Sequence, residues 1–531
     1  MDSSKIKVII ITTLALCCAL YLGIAAATAQ MEAIAWVVGA LSIVFVLALG
    51  KHVWVLIPIT LPLQGAINAL PGAPFPWWGA MAVTTFIYTM RFLTRRTENI
   101  EMRFTWLDFA ILIQIIAIGQ AFIRNPTGLL ILGGEMAGGK PYFIFGFAFV
   151  AYAMLSITKT DIKVVRWVVL LTILVSIADS SLLVLSQIFP IIGAAAIPIY
   201  SNVVFATAMG NQTAFEAEVS RLEGGKEFGQ NLSLALFSLF PPVTCINPVY
   251  IFRFTMTLLA LAIILLSGFR AALGLMMIYF VVGCLIRRQY HQLIIAGTAG
   301  FLGMVFLIAS GLTTKLPFGA QRILSELSFV QVQDHIRVNA EHSTDFRTEM
   351  WVLALTTDRY IKNKFLGDGF GLSAYEQNSM LDAVMGDARA QSQARGVEDF
   401  MARGSYHGFH VETIRFTGVL GLIAALISMG IFFNQALKLL RYFKGHREWG
   451  YIICICMPFL IYPFYYILVF GSYRSGFPVV LATAGLLKML DNIRIREIAE
   501  TRVLALTSQA SMVPTRAAAV SGGQRTYTTG N

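Results

Sequence analysis

The sequence predicts an all-α polytopic membrane protein, and two observations carry this prediction. Of the 531 residues, 57% are hydrophobic and only 13% are charged, whereas soluble domains contain close to 25% charged residues. Apolar runs of about 17 to 25 residues recur along nearly the whole chain, and each is long enough to span a bilayer as a helix. A transmembrane β-barrel needs alternating segments of about ten residues, and the sequence lacks them.

The apolar runs predict about fourteen transmembrane helices. The first seven are predicted at 8–29, 33–50, 53–70, 77–93, 105–123, 141–157 and 164–189. The other seven are predicted at 230–247, 251–267, 269–286, 291–311, 411–436, 450–470 and 475–490. Pro58 and Pro62 interrupt the third run, and Pro241 and Pro242 cut the eighth, because proline has no N–H for a helix hydrogen bond. The first run is long for a signal peptide and is interpreted as a retained helix.

These helices divide the chain into four parts. Residues 1–311 hold the first eleven helices and an outer segment at 190–229, and residues 312–410 form a large, largely helical extracytoplasmic loop. Residues 411–490 hold the last three helices, and 491–531 form a tail that is rich in small and polar residues and is predicted to be disordered. No cysteine falls in the long loop, so neither a disulfide framework nor a zinc site is expected.

Lysine and arginine set the predicted orientation. If the N-terminus is cytoplasmic, most Lys and Arg residues fall in inner loops, as the positive-inside rule requires. Both termini then lie in the cytoplasm, and residues 312–410 lie outside. The net charge of +11 is explained by this topological bias. No nucleic-acid-binding motif accompanies the basic residues, so nucleic acid is not an expected partner, whereas membrane lipids are.

Three arginines on the predicted outer side suit a phosphate ligand. They are Arg221 before the eighth helix, Arg270 between the ninth and tenth, and Arg347 in the long loop. The planar guanidinium binds phosphate oxygens at two points and stays charged, so three converging arginines suit a diphosphate. An outer arginine can also be a snorkelling anchor. Arg270 fits that alternative least, because apolar residues flank it on both sides.

Two histidines stand just before the twelfth predicted helix. His407 and His410 are one helical turn apart, and Glu412 follows. A histidine suits proton abstraction near neutral pH, although a lone histidine can equally be a surface or capping residue. The spacing of these three residues matches no known ligand pattern, so no metal is expected. Asp179, inside the seventh predicted helix, can either pair with an arginine or cap a kink. The sequence lacks an Asp-x-Asp motif, a P-loop and a Gly-x-Ser-x-Gly motif.

Four motifs, in this order, resemble those of the O-antigen ligase and O-antigen polymerase family of bacterial envelope glycan transferases. They are Arg-Leu-x-Gly with a following Asn, Ser-Gly-x-Arg-x-Ala-Leu, Arg-x-x-x-Trp with a glycine-rich turn, and a His followed by two glycines. The resemblance covers roughly residues 200 to 435. The matching residues are Arg221, Leu222, Gly224 and Asn231; Ser267, Gly268, Arg270, Ala272 and Leu273; Arg347, Trp351, Gly367, Gly369 and Gly371; and His407, Gly418 and Gly421.

The resemblance implies a glycosyltransferase of the inner membrane whose active site faces the periplasm. Its donor is a glycan on undecaprenyl diphosphate, and its acceptor is a sugar of lipid A-core or of a second lipid-linked glycan. His407 is implied as the base, and Arg270, Arg347 and Arg221 as diphosphate ligands. The supporting residues are His410, Glu412, Trp351 and Asn231. The reaction inverts the anomeric centre and needs neither metal nor cofactor.

Two questions stay open at this point. The ligases of the family usually have Asn, Ser or Gln directly after the histidine, and here Gly408 takes that place, which weakens the assignment to a lipid A-core ligase and leaves polymerases of O-antigen or exopolysaccharide open. The second question is the class of protein, since a lipid-linked glycan flippase or another polytopic transporter would also be rich in apolar helices. An assembly scaffold would leave the arginines and histidines without a role.

Overall fold

A computed structural model of the chain describes residues 46–95 except 47, 64 and 69–73, residues 100–126, 139–197, 200 and 222, residues 224–371 except 317, 326 and 328, and residues 401, 406 and 408–512. The regular structure of these residues is helical, with an isolated bridge between Ile100 and Thr158 and no sheet. The fold class is therefore all-α, as predicted.

The structure has sixteen described α-helices between Leu56 and Met512. Those of the first half are α1 (Leu56–Thr60), α2 (Pro76–Leu93), α3 (Trp106–Arg124), α4 (Lys140–Ile157), α5 (Ile162–Ile188), α6 (Pro190–Ala196), α7 (Gly225–Leu239) and α8 (Pro242–Cys245). Those of the second half are α9 (Ile251–Ser267), α10 (Arg270–Ile286), α11 (Tyr290–Ala309), α12 (Phe318–Leu324), α13 (Asp334–Thr356), α14 (Phe409–Tyr442), α15 (Trp449–Leu468) and α16 (Gly476–Met512). Short 3-10 helices at Gly50–Val55 and Leu312–Lys315 precede α1 and α12.

Seven of the described helices are long and apolar enough to cross a membrane: α3, α4, α5, α11, α14, α15 and α16 as far as Ala505. The helices α9 and α10 are also apolar but have only 17 residues each. The chain thus has the helices of a polytopic membrane protein, but the predicted count of about fourteen spans is not confirmed. The predicted helix 8–29, and all but the last few residues of 33–50, lie outside the described residues.

The predicted helix at 53–70 is wrong. The 3-10 helix Gly50–Val55 leads into α1, which already ends at Thr60. Pro58 is tolerated because it lies in the first turn of α1, where backbone N–H groups have no partner within the helix. Pro62 follows directly after the end of α1, where a proline cannot continue the helical hydrogen bonding. Prolines therefore convert this apolar run into short helical pieces.

The helix predicted at 230–247 is also wrong in its bounds. In the structure α7 starts at Gly225 and ends at Leu239, and α8 is a separate four-residue helix that begins at Pro242. The break lies at Phe240 and Pro241, which have extended backbone angles. An extended conformation is favoured for the residue before a proline, so the two consecutive prolines explain the early end of α7.

Close helix packing in the core depends on two glycines. A Cβ at Gly229 of α7 would lie 2.2 Å from Ile264 Cγ1 of α9, and a Cβ at Gly485 of α16 would lie 3.0 Å from the Tyr152 carbonyl oxygen of α4. Small residues allow such close approach between membrane helices. At the centre of the bundle, α14 packs against α3 and α15.

The last helix is much longer than predicted. It continues to Met512 instead of ending at 490, so residues 491–512 are helical, and only 513–531 of the predicted disordered tail lie outside the described residues. Polar contacts explain the extension: Asn492 donates to the Ser156 carbonyl at 3.0 Å, and Arg496 donates to that of Thr160. Within the helix, buried Lys488 forms an ion pair with Asp108 of α3, as a buried charge requires.

Candidate functional site

The candidate site lies at the end of the helix bundle where α3 ends and α14 begins, which we call the loop end. Here α14 is broken at Gly418, whose φ of 76° and ψ of −178° are not helical. A break exposes backbone groups that need new partners. The Asp368 N–H donates to the Arg415 carbonyl at 2.8 Å, and the Gly369 N–H donates to that of Phe416 at 3.0 Å.

The glycine turn, residues 367–371, is shaped to fit this break. Gly367 and Gly369 have φ of +74° and +76°, in a region that side chains other than glycine rarely adopt. A Cβ at Gly367 would lie 2.5 Å from the backbone nitrogens of Thr417 and Gly418. The turn thus lies directly against the α14 backbone, and its glycines have a structural role.

Arg415 is buried beneath the glycine turn. Only 1% of the residue is exposed, and its guanidinium donates to the carbonyl oxygens of Gly369 and Gly371 at 3.2 Å each. It also lies 3.7 Å from the Asp368 carboxylate, which in turn accepts the N–H groups of Lys362 and Asn363. Arg415 therefore holds the loop instead of facing a substrate.

Glu412 joins the start of α14 to the connection between α15 and α16. Its buried carboxylate accepts the Ser472 hydroxyl and the Tyr473 N–H, both at 2.8 Å. A carboxylate is also favoured in the first turn of a helix, near the positive end of its dipole. Glu412 was predicted to support the site, and its described contacts hold the connection between α15 and α16 against the start of α14.

Trp351 of α13 packs against the residues that flank His407. Its indole N–H donates to the Tyr406 carbonyl at 2.8 Å, and its ring lies edge-on to His410, with centroids 4.8 Å apart. A Cβ at Gly408 would lie 2.8 Å from Trp351 Nε1. His407 itself lies outside the described residues. Position 408 has a glycine, in contrast to the family pattern, because the indole of Trp351 occupies the space that a side chain at 408 would need.

Arg347 lies one turn before Trp351 on α13. It is half-buried, and this burial lowers the pKa of its guanidinium, while the nearby Tyr465 has the opposite, smaller effect. Tyr465, near the end of α15, also interacts electrostatically with Glu227 of α7. The structure therefore brings Arg347 close to Tyr465, near the end of α15.

Arg270 is the first residue of α10, directly after a sharp break between α9 and α10. Gly268 ends α9 with φ of 67°. The short helix α12 rests on this break, because a Cβ at Gly319 would lie 2.0 Å from the Leu265 carbonyl oxygen and 2.9 Å from Gly268. Arg270 is half-buried. The long loop thus covers the break that presents Arg270.

Lys226 is a cation that the sequence did not single out. It lies in the first turn of α7, with its ammonium 5.6 Å from the ring centre of Phe269 and 5.3 Å from that of Phe470. Its nitrogen is also 3.3 Å from the Glu227 carboxylate. Since Phe269 directly precedes Arg270, the first turns of α7 and α10 are neighbours. The chain positions 226, 269 and 470 are too far apart for a local motif to reveal this contact.

Two further predicted residues have contacts away from this cluster. Asn231 donates to the Ser180 hydroxyl at 3.1 Å and so links α7 to α5. Asp179 accepts a hydrogen bond from the Tyr200 hydroxyl at 2.6 Å. Its partner is thus a tyrosine, which the sequence analysis did not predict. Arg221 lies outside the described residues.

Of the predicted residues, the structure brings Trp351, His410 and Glu412 together at the start of α14, and it places Arg270 and Arg347 at the same end of the bundle. Comparison with known proteins finds no matching family model and no curated protein of significant similarity. The resemblance to the O-antigen ligase and polymerase family therefore stays a prediction that rests on the motifs.

Proposed function

We propose that the chain transfers a glycan from an undecaprenyl-diphosphate donor to a sugar hydroxyl of the acceptor, at the periplasmic face of a bacterial inner membrane. The observation that carries the proposal is an apolar groove on the outside of the bundle, one of whose lining residues, Tyr465, is close to half-buried Arg347. A lipid diphosphate matches both features, because its apolar chain suits the groove and its compact anion suits the arginine.

The groove lies between α10, α14 and α15. It has a volume of about 550 Å³, and apolar side chains line it almost completely. Its wall includes Phe464 and Leu468, which are 58% and 75% exposed on the outside of the bundle. An apolar chain can therefore enter from the membrane, and burial of its surface favours binding by roughly 25 cal/mol per Å².

Tyr465 connects the groove to the polar site. This residue lines the groove, and it interacts electrostatically with Arg347. An anion at the end of an apolar chain in the groove would thus come within reach of the guanidinium. A flexible lysine would bind phosphate as a point charge, whereas arginine can bind it at two points.

In the proposed reaction His407 takes the proton from the acceptor hydroxyl. The hydroxyl oxygen forms a bond to the anomeric carbon as the bond from that carbon to the diphosphate oxygen breaks. The diphosphate leaves with the bonding electron pair, and in-line attack inverts the anomeric centre. Arg270 and Arg347 stabilise the charge that grows on the leaving group, which lowers the barrier because the interaction is stronger in the transition state.

The test is a transfer assay with purified protein, a synthetic undecaprenyl-diphosphate oligosaccharide and candidate acceptors. Arg270→Lys keeps the charge but loses the planar fork, so we expect at least a tenfold loss of transfer. Arg447→Lys is the control, since Arg447 is exposed at the opposite end of the bundle, and its transfer should be unchanged. Normal transfer by Arg270→Lys would contradict the diphosphate role.

A lipid-linked glycan flippase is the second candidate, because two helical regions are interrupted, at Gly268 and at Gly418, and interrupted helices are typical of transporters. Both breaks lie at the loop end rather than in the middle of the bundle, and loop segments fill them, which favours the transferase. Proteoliposomes separate the two: a flippase moves a labelled donor across the bilayer and leaves it intact, whereas a transferase consumes it.

A further inference from the structure

We propose that Lys226 is an additional ligand of the diphosphate, an inference that rests on the proposed function and adds a residue to its site. The evidence is the surroundings of the Lys226 ammonium. It lies between the rings of Phe269 and Phe470, with centroid distances of 5.6 and 5.3 Å. The Lys226 side chain is only 24% exposed, so its charge is held in place and partly removed from water.

The first turns of α7 and α10 bring two cations to the same region. Lys226 is the second residue of α7, and Arg270 is the first residue of α10. Cations are normally found at the C-terminal end of a helix, because the dipole disfavours them at the N-terminal end. Here the Lys226 ammonium lies 5.6 Å from the ring centre of Phe269, the residue directly before Arg270, so the starts of α7 and α10 are close to each other. The N-terminal end of a helix favours an anion.

The carboxylate of Glu227 balances the charge of Lys226 in the structure. Glu227 lies 3.3 Å from the Lys226 nitrogen, and its own side chain is 47% exposed. It also interacts electrostatically with Tyr465, one of the residues that line the apolar groove. A diphosphate bound by Lys226 would therefore compete with Glu227 for the same ammonium group.

This arrangement predicts opposite effects from neighbouring substitutions. Lys226→Gln removes a charge-assisted hydrogen bond to the anion, and we expect the Kd for farnesyl diphosphate to rise roughly tenfold to a hundredfold. Lys226→Arg should stay within a few-fold of the wild type. Glu227→Gln removes the competing carboxylate and should lower the Kd. A lysine with a purely structural role would lose its partner in Glu227→Gln and would give weaker binding.

The measurement is calorimetric titration of the full-length protein in detergent with farnesyl diphosphate, and separately with inorganic pyrophosphate. Lys140→Gln is the matched control, because the Lys140 ammonium also lies over an aromatic ring, 4.9 Å from the centre of Phe75; its Kd should be unchanged. The lipid should bind more tightly than pyrophosphate if the groove takes the chain. Equal affinities would mean that the ligand is a free diphosphate, and would overturn the assignment to a lipid donor.

The two proposals fail in different ways. If the wild type binds farnesyl diphosphate and Lys226→Gln binds it equally well, the role of Lys226 is overturned and the diphosphate donor stands. The role of Lys226 is likewise overturned if Lys140→Gln weakens binding as much as Lys226→Gln does. If the wild type binds neither diphosphate, the proposed function itself fails.

Discussion

At the scale of single residues, the two histidines near the start of α14 are expected to differ. His410 packs edge-on against Trp351, and His407 carries the spacing to Gly418 that the family resemblance requires. A general base contributes about 10² to 10⁴ in rate. His407→Ala should therefore lower transfer by that order while donor binding survives, because the cations remain. The wild type should lose activity on acidification, as the histidine takes up a proton.

The matched variant is His410→Ala, which should lose only a few-fold through weaker packing of Trp351. Transfer rates of both variants, measured across a range of pH, show which of the two histidines is the base. Equal, small losses in both would show that neither histidine is the base. Glu412 would then be a poor candidate for the base, because its carboxylate already accepts hydrogen bonds from the Ser472 hydroxyl and the Tyr473 N–H.

A second prediction at this scale concerns the effect of a side chain at position 408. The indole of Trp351 fills the space in which a Cβ at Gly408 would lie, at 2.8 to 3.0 Å. Gly408→Asn, which introduces a residue common in the ligases of the family, should displace the indole and lower transfer without unfolding the bundle. The double variant with Trp351→Leu should recover part of the activity lost in Gly408→Asn. Full activity of Gly408→Asn would mean that this contact does not position residue 407.

At the scale of elements, the break in α14 is predicted to depend on glycine. Gly418 has φ of 76° and ψ of −178°, a combination essentially confined to glycine, and strain of this kind costs about 1 to 3 kcal/mol. A Cβ there would also lie 2.1 Å from the Phe365 carbonyl oxygen. Gly418→Ala should therefore lower the thermal denaturation midpoint clearly and release the glycine turn.

Gly430→Ala in the same helix is the control. Gly430 is helical, exposed and without any atom within 4 Å of a built Cβ, so alanine should be neutral or slightly stabilising. Thermal denaturation of both variants in detergent measures the difference. Equal midpoints would contradict the inference that the break is a strained, glycine-dependent feature.

At the scale of the whole molecule, orientation in the membrane is the testable property. The distribution of Lys and Arg predicts that 312–410 lies outside and that both termini lie in the cytoplasm. Alkaline phosphatase fused after Gln333 should be active, and a fusion after Lys444 should be inactive. These positions are on opposite sides of α14, which is a single candidate span. The reverse pattern would overturn the periplasmic site as well.

The sequence by itself determined the all-α fold and the positions of most described helices, because apolar runs and their lengths are local properties of the chain. It was wrong where prolines divide a run, as at Pro62 and Pro241, since the apolar composition continues across the break. It also ended α16 too early, because the contacts of Asn492 and Arg496 with α4 and the residues after it are not visible in composition.

Only the tertiary structure decided how the candidate site is built. Arg415 and Glu412 have the charges of functional residues, and their burial and partners make them structural. Lys226 becomes part of the site only because residues 269 and 470 meet around it. Contacts between residues so distant in sequence depend on how the helices pack, and no local pattern of residue types encodes that packing.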